Sequence, residues 1–496
     1  MAWFSSSHNS TIHTFSRFWL EKSPPQTLQI LSFETAKTMS RLLALHDFLS
    51  DHEYLKLRKE SIKAEGIRYL NSRDETFLLS LACDEKLEEL DNIAIAVSRL
   101  AEKCNDAGLK QFAAVYANLK QGIVDPEMPR YNSGLAEKII TKMEKYVAAT
   151  SNLHEDLEVL TEMEASERKH KAWKQNEHAS SRIIPHKANP VHFEEKLAFQ
   201  RKQVKHFRGI SLWNKTFDKS VHPMAKMICI IYMRICELFG AFVPSLPRFP
   251  KPNTRHNKHH HHGHQKIHPD PDQKHLHLRC NMSKSGPISR CVPPGMVPVR
   301  FYSQQILSLA SAETFRELER KQTVIESAPP STVGHAGLAM RYASIIILAQ
   351  RYLNSPTKIN DDTRGYMYEL LPANVKALVR RKLRSRWSKA EKRGCEIDHA
   401  LAEGWREPLE EIMRWLAPMA HDTEQWHAER SMEKHRFDAK PTVLLFQTLY
   451  FSNLEKTEAA IVDVLVGLSC IYRYENRRSR GGGSGRGVDT DDFLGR

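Results

Sequence analysis

Two pairs of residues in this chain have the spacing of metal ligands on a helix: Glu396 with His399, and Glu424 with His427, each three positions apart. An ExxH pair puts a carboxylate and an imidazole on one helical face, and two such pairs make a carboxylate-bridged di-iron site when other helices add two inward glutamates. No bridging glutamates can be nominated, and two such pairs arise easily by chance among 25 histidines. Solvent-facing positions on amphipathic helices are the expected setting. Nine histidines from His256 to His277 form the loudest metal-binding candidate, since neutral imidazoles bind zinc, copper or nickel. A run without fixed geometry or outer-shell partners binds metals promiscuously rather than catalysing. The expectation is a chain with no catalytic residues, no metal centre and no cofactor.

The common catalytic signatures point the same way. There is no GxxxxGK[ST] loop, no GxGxxG after a strand, no GxSxG elbow and no HExxH helix. The glycines from Gly481 to Gly485 have no strand before them and make no phosphate cradle. The densest basic patch is Arg380, Arg381, Lys382, Arg384 and Arg386, followed by Lys389, Lys392 and Arg393. It suits nuclear import machinery, anionic lipid or acidic protein, and the plainer reading is a solvated helix face.

The elements that carry these residues are helical. From Thr27 to about Gly240 the pattern is helical almost throughout. Ser72 and Glu75 have capping-box spacing, and Phe77, Leu78, Leu81, Leu87, Leu90, Ile93, Ala94, Val97, Leu100 and Ala101 follow a helical period. Gly108 and the stretch from Gly122 to Pro129 mark breaks. Ile139, Met143, Tyr146, Thr150, Leu153, Leu157 and Leu160 then alternate three and four apart, the seam of a coiled coil and a candidate partner-binding surface. Phe193, Leu197, Gln200, Val204 and Phe207 continue the spacing, so the seam closes either as an antiparallel hairpin within the chain or against another molecule.

After Pro329 and Pro330 a second helical block begins, with Leu338, Tyr342, Ile345, Ala349 and Tyr352 as one stripe. Pro372 is placed to open the helix of Val375, Leu378, Val379 and Leu383. Helices follow around Pro408 to Trp415, after Pro418, and from Thr442 to Tyr474. In that last helix Ser452 and Glu455 have capping-box spacing ahead of Ile461, Val462, Leu465, Leu468, Ser469 and Tyr472. The fold class expected is all-α: a helical domain over 27–243 and another over 331–476. Between them 244–330 is a mostly disordered Pro/His-rich basic linker, with a short helix near Ala310 to Gln322, and 477–496 is a flexible Gly/Arg tail.

Charge supports that division. Of the formal +14, the stretch Pro244 to Arg300 carries ten Lys or Arg against two Asp, and Arg477 to Arg496 five against three. Only about +4 is left on the helical blocks, too little for a face built to track phosphates, so nucleic acid is not an expected partner. Eight cysteines without a CxxC pair fit reduced thiols. Arg234 and Glu237 break the most apolar run, and no transmembrane helix is expected. Residues 1–26 lack an acid before Glu21, which gives them the composition of an organellar transit peptide; a disordered or weakly amphipathic leader is the plainer expectation.

Long stretches also carry a family resemblance. LQILSFETAKTMSRLLALHDFLSD, EGIRYLNSRDETFLLSLACDEKLEELDNIAIAVSRLAEKC and VKHFRGISLWNKTFD resemble the N-terminal domain of the plant PSK SIMULATOR family. GHAGLAMRYASIIILAQRYL, ELLPANVKALVRRKLR, EGWREPLEEIMRWLAPMAHDTEQWHAERS and the helix from Thr442 to Glu475 resemble its C-terminal domain of unknown function. The resemblance implies a plant protein that promotes growth, linked to the peptide hormone phytosulfokine and without an enzymatic activity. It implies protein partners and a place in the nucleus and/or cytoplasm. Founding members carry an N-terminal myristoylation signal, and Ala2 stands here where acylation requires glycine, so lipid anchoring at this N-terminus is not expected. The rival readings are a metal-dependent helical enzyme and a nucleic-acid or lipid-surface binder acting through the Arg380 patch.

Overall fold

A computed structural model describes residues 26–123, 133–177, 190–249, 323–355, 361–392, 399–432, 437 and 441–479. The leader, the histidine run, the helix near Ala310 to Gln322 and the Gly/Arg tail lie outside them. The described residues are all-α, with two isolated antiparallel bridges, Thr27 to Thr216 and Thr332 to Asn453, as their β contacts.

The chain before the histidine run forms α1 (Leu31–Phe48), α2 (Asp51–Lys59), a π-turn (Ile67–Asn71), α3 (Glu75–Ala101), α4 (Ala107–Lys110), α5 (Phe112–Lys120), α6 (Ser133–Glu177), α7 (Pro190–Ile210) and α8 (Phe217–Phe239). After it come α9 (Ala339–Asn354), α10 (Asp361–Leu370), α11 (Ala373–Lys392), α12 (His399–Met432) and α13 (Leu454–Ser479). Helix α3 is central to the first group, packing on α1, α5 and α8. Its Leu78, Leu79, Leu90, Ile93, Ala94 and Val97 are fully buried, and each large apolar side chain so removed from water contributes about 1.5–3 kcal/mol. In the second group α12 and α13 close on α9, around Tyr342, Leu409, Leu416 and Leu465.

Three local expectations are corrected. Asp74, not Ser72, caps α3, its carboxylate accepting from Thr76 N at 2.9 Å, while Ser72 Oγ accepts from Asp74 N. Asn453, not Ser452, caps α13 by accepting from Lys456 N; Ser452 is buried and its hydroxyl donates to Thr448 O. In both cases an Asx side chain closer to the first turn takes the orphan N–H groups. The two helices expected around Pro408 and after Pro418 are one, since both prolines lie inside α12. A proline removes one backbone donor, and the burial of Leu409, Met413, Leu416, Ala417, Met419 and Ala420 along the same helix holds it continuous.

The described helices from both sides of the histidine run fall in one compact unit with a continuous apolar core. The junction is polar as well as apolar. Glu85 of α3, 3% exposed, accepts from Trp426 Nε1 at 3.1 Å, Arg430 Nη2 at 2.9 Å and Leu445 N at 2.7 Å. Asn453 N donates to Leu70 O at 2.8 Å, Asn71 donates to Phe446 O, and Val324 N donates to Glu88 Oε2 at 2.8 Å.

Candidate functional site

The seam residues lie on α6, which pairs with α7 and rests its first half on α1. Met143, Thr150 and Leu153 are fully buried and Ile139 nearly so, whereas Tyr146, Leu157 and Leu160 are half-buried. The hairpin is antiparallel and within the chain. Gln200 of α7 donates to Asp156 O and Oδ1 at 3.0 and 2.9 Å, and Arg201 reaches Glu164 at 3.1 Å and Glu167 at 3.5 Å. At that level Val159 and Phe199 are 45% and 60% exposed, so the apolar surface left open lies toward the far half of the hairpin. Replacing Leu153 with aspartate is expected to lower the unfolding free energy by about 4 kcal/mol, because a carboxylate would sit unpaired in the core. Leu160→Asp should cost less than half as much, and urea titration of both variants checks the difference.

The basic residues are distributed along α11 rather than gathered into a pocket. Arg380, Arg381, Lys382, Arg384 and Arg386 are all exposed. Lys382 pairs with Asp463 of α13 at 2.7 Å, Arg380 lies 5.3 Å from the Tyr368 ring centre, and Arg386 lies 4.3 Å from that of Trp405. Exposed ion pairs of this kind are worth about 0.2–1 kcal/mol each and cation–π contacts at exposed sites about 0.5–1 kcal/mol. Several of these cations therefore tie α11 to α10, α12 and α13 while keeping their charge in solvent.

Glu424 and His427 sit on α12, half-buried and exposed respectively. Glu396 and the side chain of His399 lie outside the described residues. Among the described residues no group of three or more His, Cys, Asp or Glu could hold a metal ion. The five described cysteines are buried and in no disulfide, and burial pushes Cys104 and Cys229 up to about 12 and Cys236 to about 11, so the thiolates of these three are suppressed.

Sequence reasoning missed the buried polar clusters, because charged residues within an apolar stripe read as surface. Asp91 is one: Lys120 Nζ donates to both its oxygens at 2.8 and 2.7 Å and the fully buried Tyr116 hydroxyl donates at 2.8 Å. Lys86 and Glu89, likewise buried, pair at 3.3 Å. These groups are mutually satisfied and hold elements in register. Asp422 of α12 is different. Burial, followed by the nearby Glu429, raises its carboxyl to about 6. A raised acid binds its proton more tightly when folded, so its contribution to stability is present below about pH 4 and lost as pH rises through about 6. Asp422→Asn should therefore make the protein more stable at pH 8, by about 1 kcal/mol after solvent screening, and leave it unchanged at pH 4. Thermal melts at the two pH values check this.

The fold and its buried polar clusters define an all-helical protein in which Glu85, Asp91 and the Lys86–Glu89 pair lock elements together. No described helix is long and apolar enough to cross a membrane. Residues 30–86 match a family described as Domain of unknown function (DUF3475), and residues 332–425 one described as Protein of unknown function (DUF668). Protein PSK SIMULATOR 1 of Arabidopsis thaliana is 23% identical over 450 residues, which cover 89% of this chain and 55% of that protein. Proteins PSK SIMULATOR 3 and PSK SIMULATOR 2 of the same plant are each 22% identical, covering 92% and 91% of this chain and 58% and 61% of theirs. The similarity to PSK SIMULATOR proteins thus runs along about nine tenths of the chain, which spans a little over half the length of these relatives. No solved structure matches it.

Proposed function

We propose that this chain is a non-enzymatic regulator or scaffold of plant growth, linked to phytosulfokine signalling and acting through helix-mediated contacts with other proteins. The observation that carries the reading is the similarity to the three PSK SIMULATOR proteins over about nine tenths of the chain. Both matched families are described as of unknown function, and none of the relatives' names states a reaction. The open apolar positions Val159 and Phe199 on the α6–α7 hairpin and the exposed cations of α11 are the surfaces proposed for partners. The proposed location is the nucleus and/or cytoplasm, with Arg380, Arg381, Lys382, Arg384 and Arg386 as the import signal.

Expression in Arabidopsis seedlings lacking PSK SIMULATOR proteins tests the reading. The expected result is recovered growth and a recovered response to applied phytosulfokine. A stably accumulating protein that restores neither would overturn it. A fluorescent fusion in the same plants reports the compartment, and charge reversal of the five α11 residues should shift it out of the nucleus.

A further inference from the structure

A solvent-open depression of about 560 Å³ lies where the π-turn meets α12, lined by Lys63, Glu65, Arg68, Tyr69, Arg73 and Trp415. Its floor is aromatic: the Tyr69 and Trp415 rings stand 4.9 Å apart at 56°. Its walls are basic. Lys63, Arg68 and Arg73 are exposed, and none of their side chains has a partner among the described residues, in contrast to Arg58, Lys86, Lys120, Arg201 and Lys382, which are all paired. Lys456 of α13 adds a fourth cation, its ammonium 3.1 Å from Tyr69 O and 5.5 Å from the Tyr69 ring centre. One carboxylate, Glu65, faces three lining cations.

The backbone is built to bring these groups together. Gly66 presses against α12 so closely that a Cβ there would lie 2.3 Å from Trp415 O, which sets the π-turn directly beside the indole. A π-helical turn has poorer hydrogen-bond economy than an α-turn and is enriched at functional sites. Here it presents Arg68 and Tyr69 successively to the same depression.

From this geometry we infer that the depression binds a phosphorylated side chain of a partner peptide, with the phosphate held by Lys63, Arg68 and Arg73 and the adjoining peptide residue resting on Tyr69 and Trp415. Guanidinium forks match phosphate oxygens bidentately, and clustered arginines are a recurring phosphopeptide-recognition device. Small-molecule pockets bury most of their ligand, whereas here the cations are exposed and Tyr69 remains 45% exposed, which suits a chain passing over the surface. A single-stranded nucleic acid needs a basic track continuing over several nucleotides, and Glu65 interrupts this one. An occupant would bridge residues from both sides of the histidine run, so binding should also raise the melting temperature.

The test is fluorescence anisotropy of the full chain with labelled degenerate peptide pools fixed at a central phosphoserine, phosphothreonine or phosphotyrosine, beside their unphosphorylated twins. The expected result is binding of at least one phosphorylated pool about tenfold tighter than its twin, lost about tenfold in Arg68→Ala/Arg73→Ala. That double variant should melt at the wild-type temperature without peptide, because both side chains are exposed. Arg381→Ala/Arg384→Ala on α11 should bind as wild type. Equal affinity for twin pools, no binding by any pool, loss caused by the α11 variant instead, or full displacement by a poly(dT) oligonucleotide would each overturn the assignment.

Discussion

Glu85→Ala is expected to lower the unfolding free energy by about 3–5 kcal/mol, the range seen when one partner of a buried charged cluster is removed. The carboxylate takes three donors at once, and two of them, Trp426 Nε1 and Leu445 N, are in the interior. Alanine leaves a void too apolar to satisfy any of the three, and each buried donor then loses its solvation without a replacement. Glu85→Gln should cost less, because its one oxygen still accepts, but its amide N–H groups face other donors. All three donors come from the chain after the histidine run and Glu85 from before it. The loss should therefore also appear as faster hydrogen exchange at Leu445 and along the end of α12 than within α6. Equilibrium denaturation together with exchange mass spectrometry measures both. A change below about 1 kcal/mol, the scale of an exposed pair, would mean that the cluster contributes no more than a surface contact.

A steric effect of a different kind is expected at Gly66. A methyl group there meets a carbonyl oxygen, Trp415 O at 2.3 Å, with Met419 Sδ behind it at 2.9 Å. The thioether can turn aside, but the carbonyl belongs to the backbone of α12 and cannot. Gly66→Ala is therefore expected to cost about 2–3 kcal/mol, the upper part of the range for overpacking, and to separate the Tyr69 and Trp415 rings. Indole fluorescence would report the second change. Gly209→Ala is the control: its Cβ would meet nothing within 4 Å, so removing a helical glycine there should be neutral or stabilising by about 0.5–1 kcal/mol. Equal melting temperatures for the two variants would contradict the contact.

How much of this was legible beforehand depended on whether a feature is local. The stripe of Leu78, Leu90, Ile93, Ala94 and Val97 predicts α3, and the seam from Ile139 to Leu160 predicts α6, because helical periodicity is written within a few turns of one segment. The family resemblance was legible for the same reason, being carried by long uninterrupted stretches. Cap residues were misplaced by one or two positions at both Ser72 and Ser452, since an Asx residue nearer the helix competes for the same N–H groups. The unbroken course of α12 through Pro408 and Pro418 was not legible, because packing along the whole helix outweighs two missing donors.

The sequence by itself determined the all-α class, the helical stripes and the absence of the usual nucleotide and hydrolase motifs. Only the tertiary structure decided which stripe faces which. It turned the first half of the seam inward onto α1, laid α7 along the later half, set Glu85 under Trp426 and Leu445, and brought Arg68 and Arg73 beside Trp415. The separation along the chain is the reason: Glu85 and Leu445 are 360 positions apart. A periodic pattern states that a face must be buried, and nothing in it names the distant residues that will cover it.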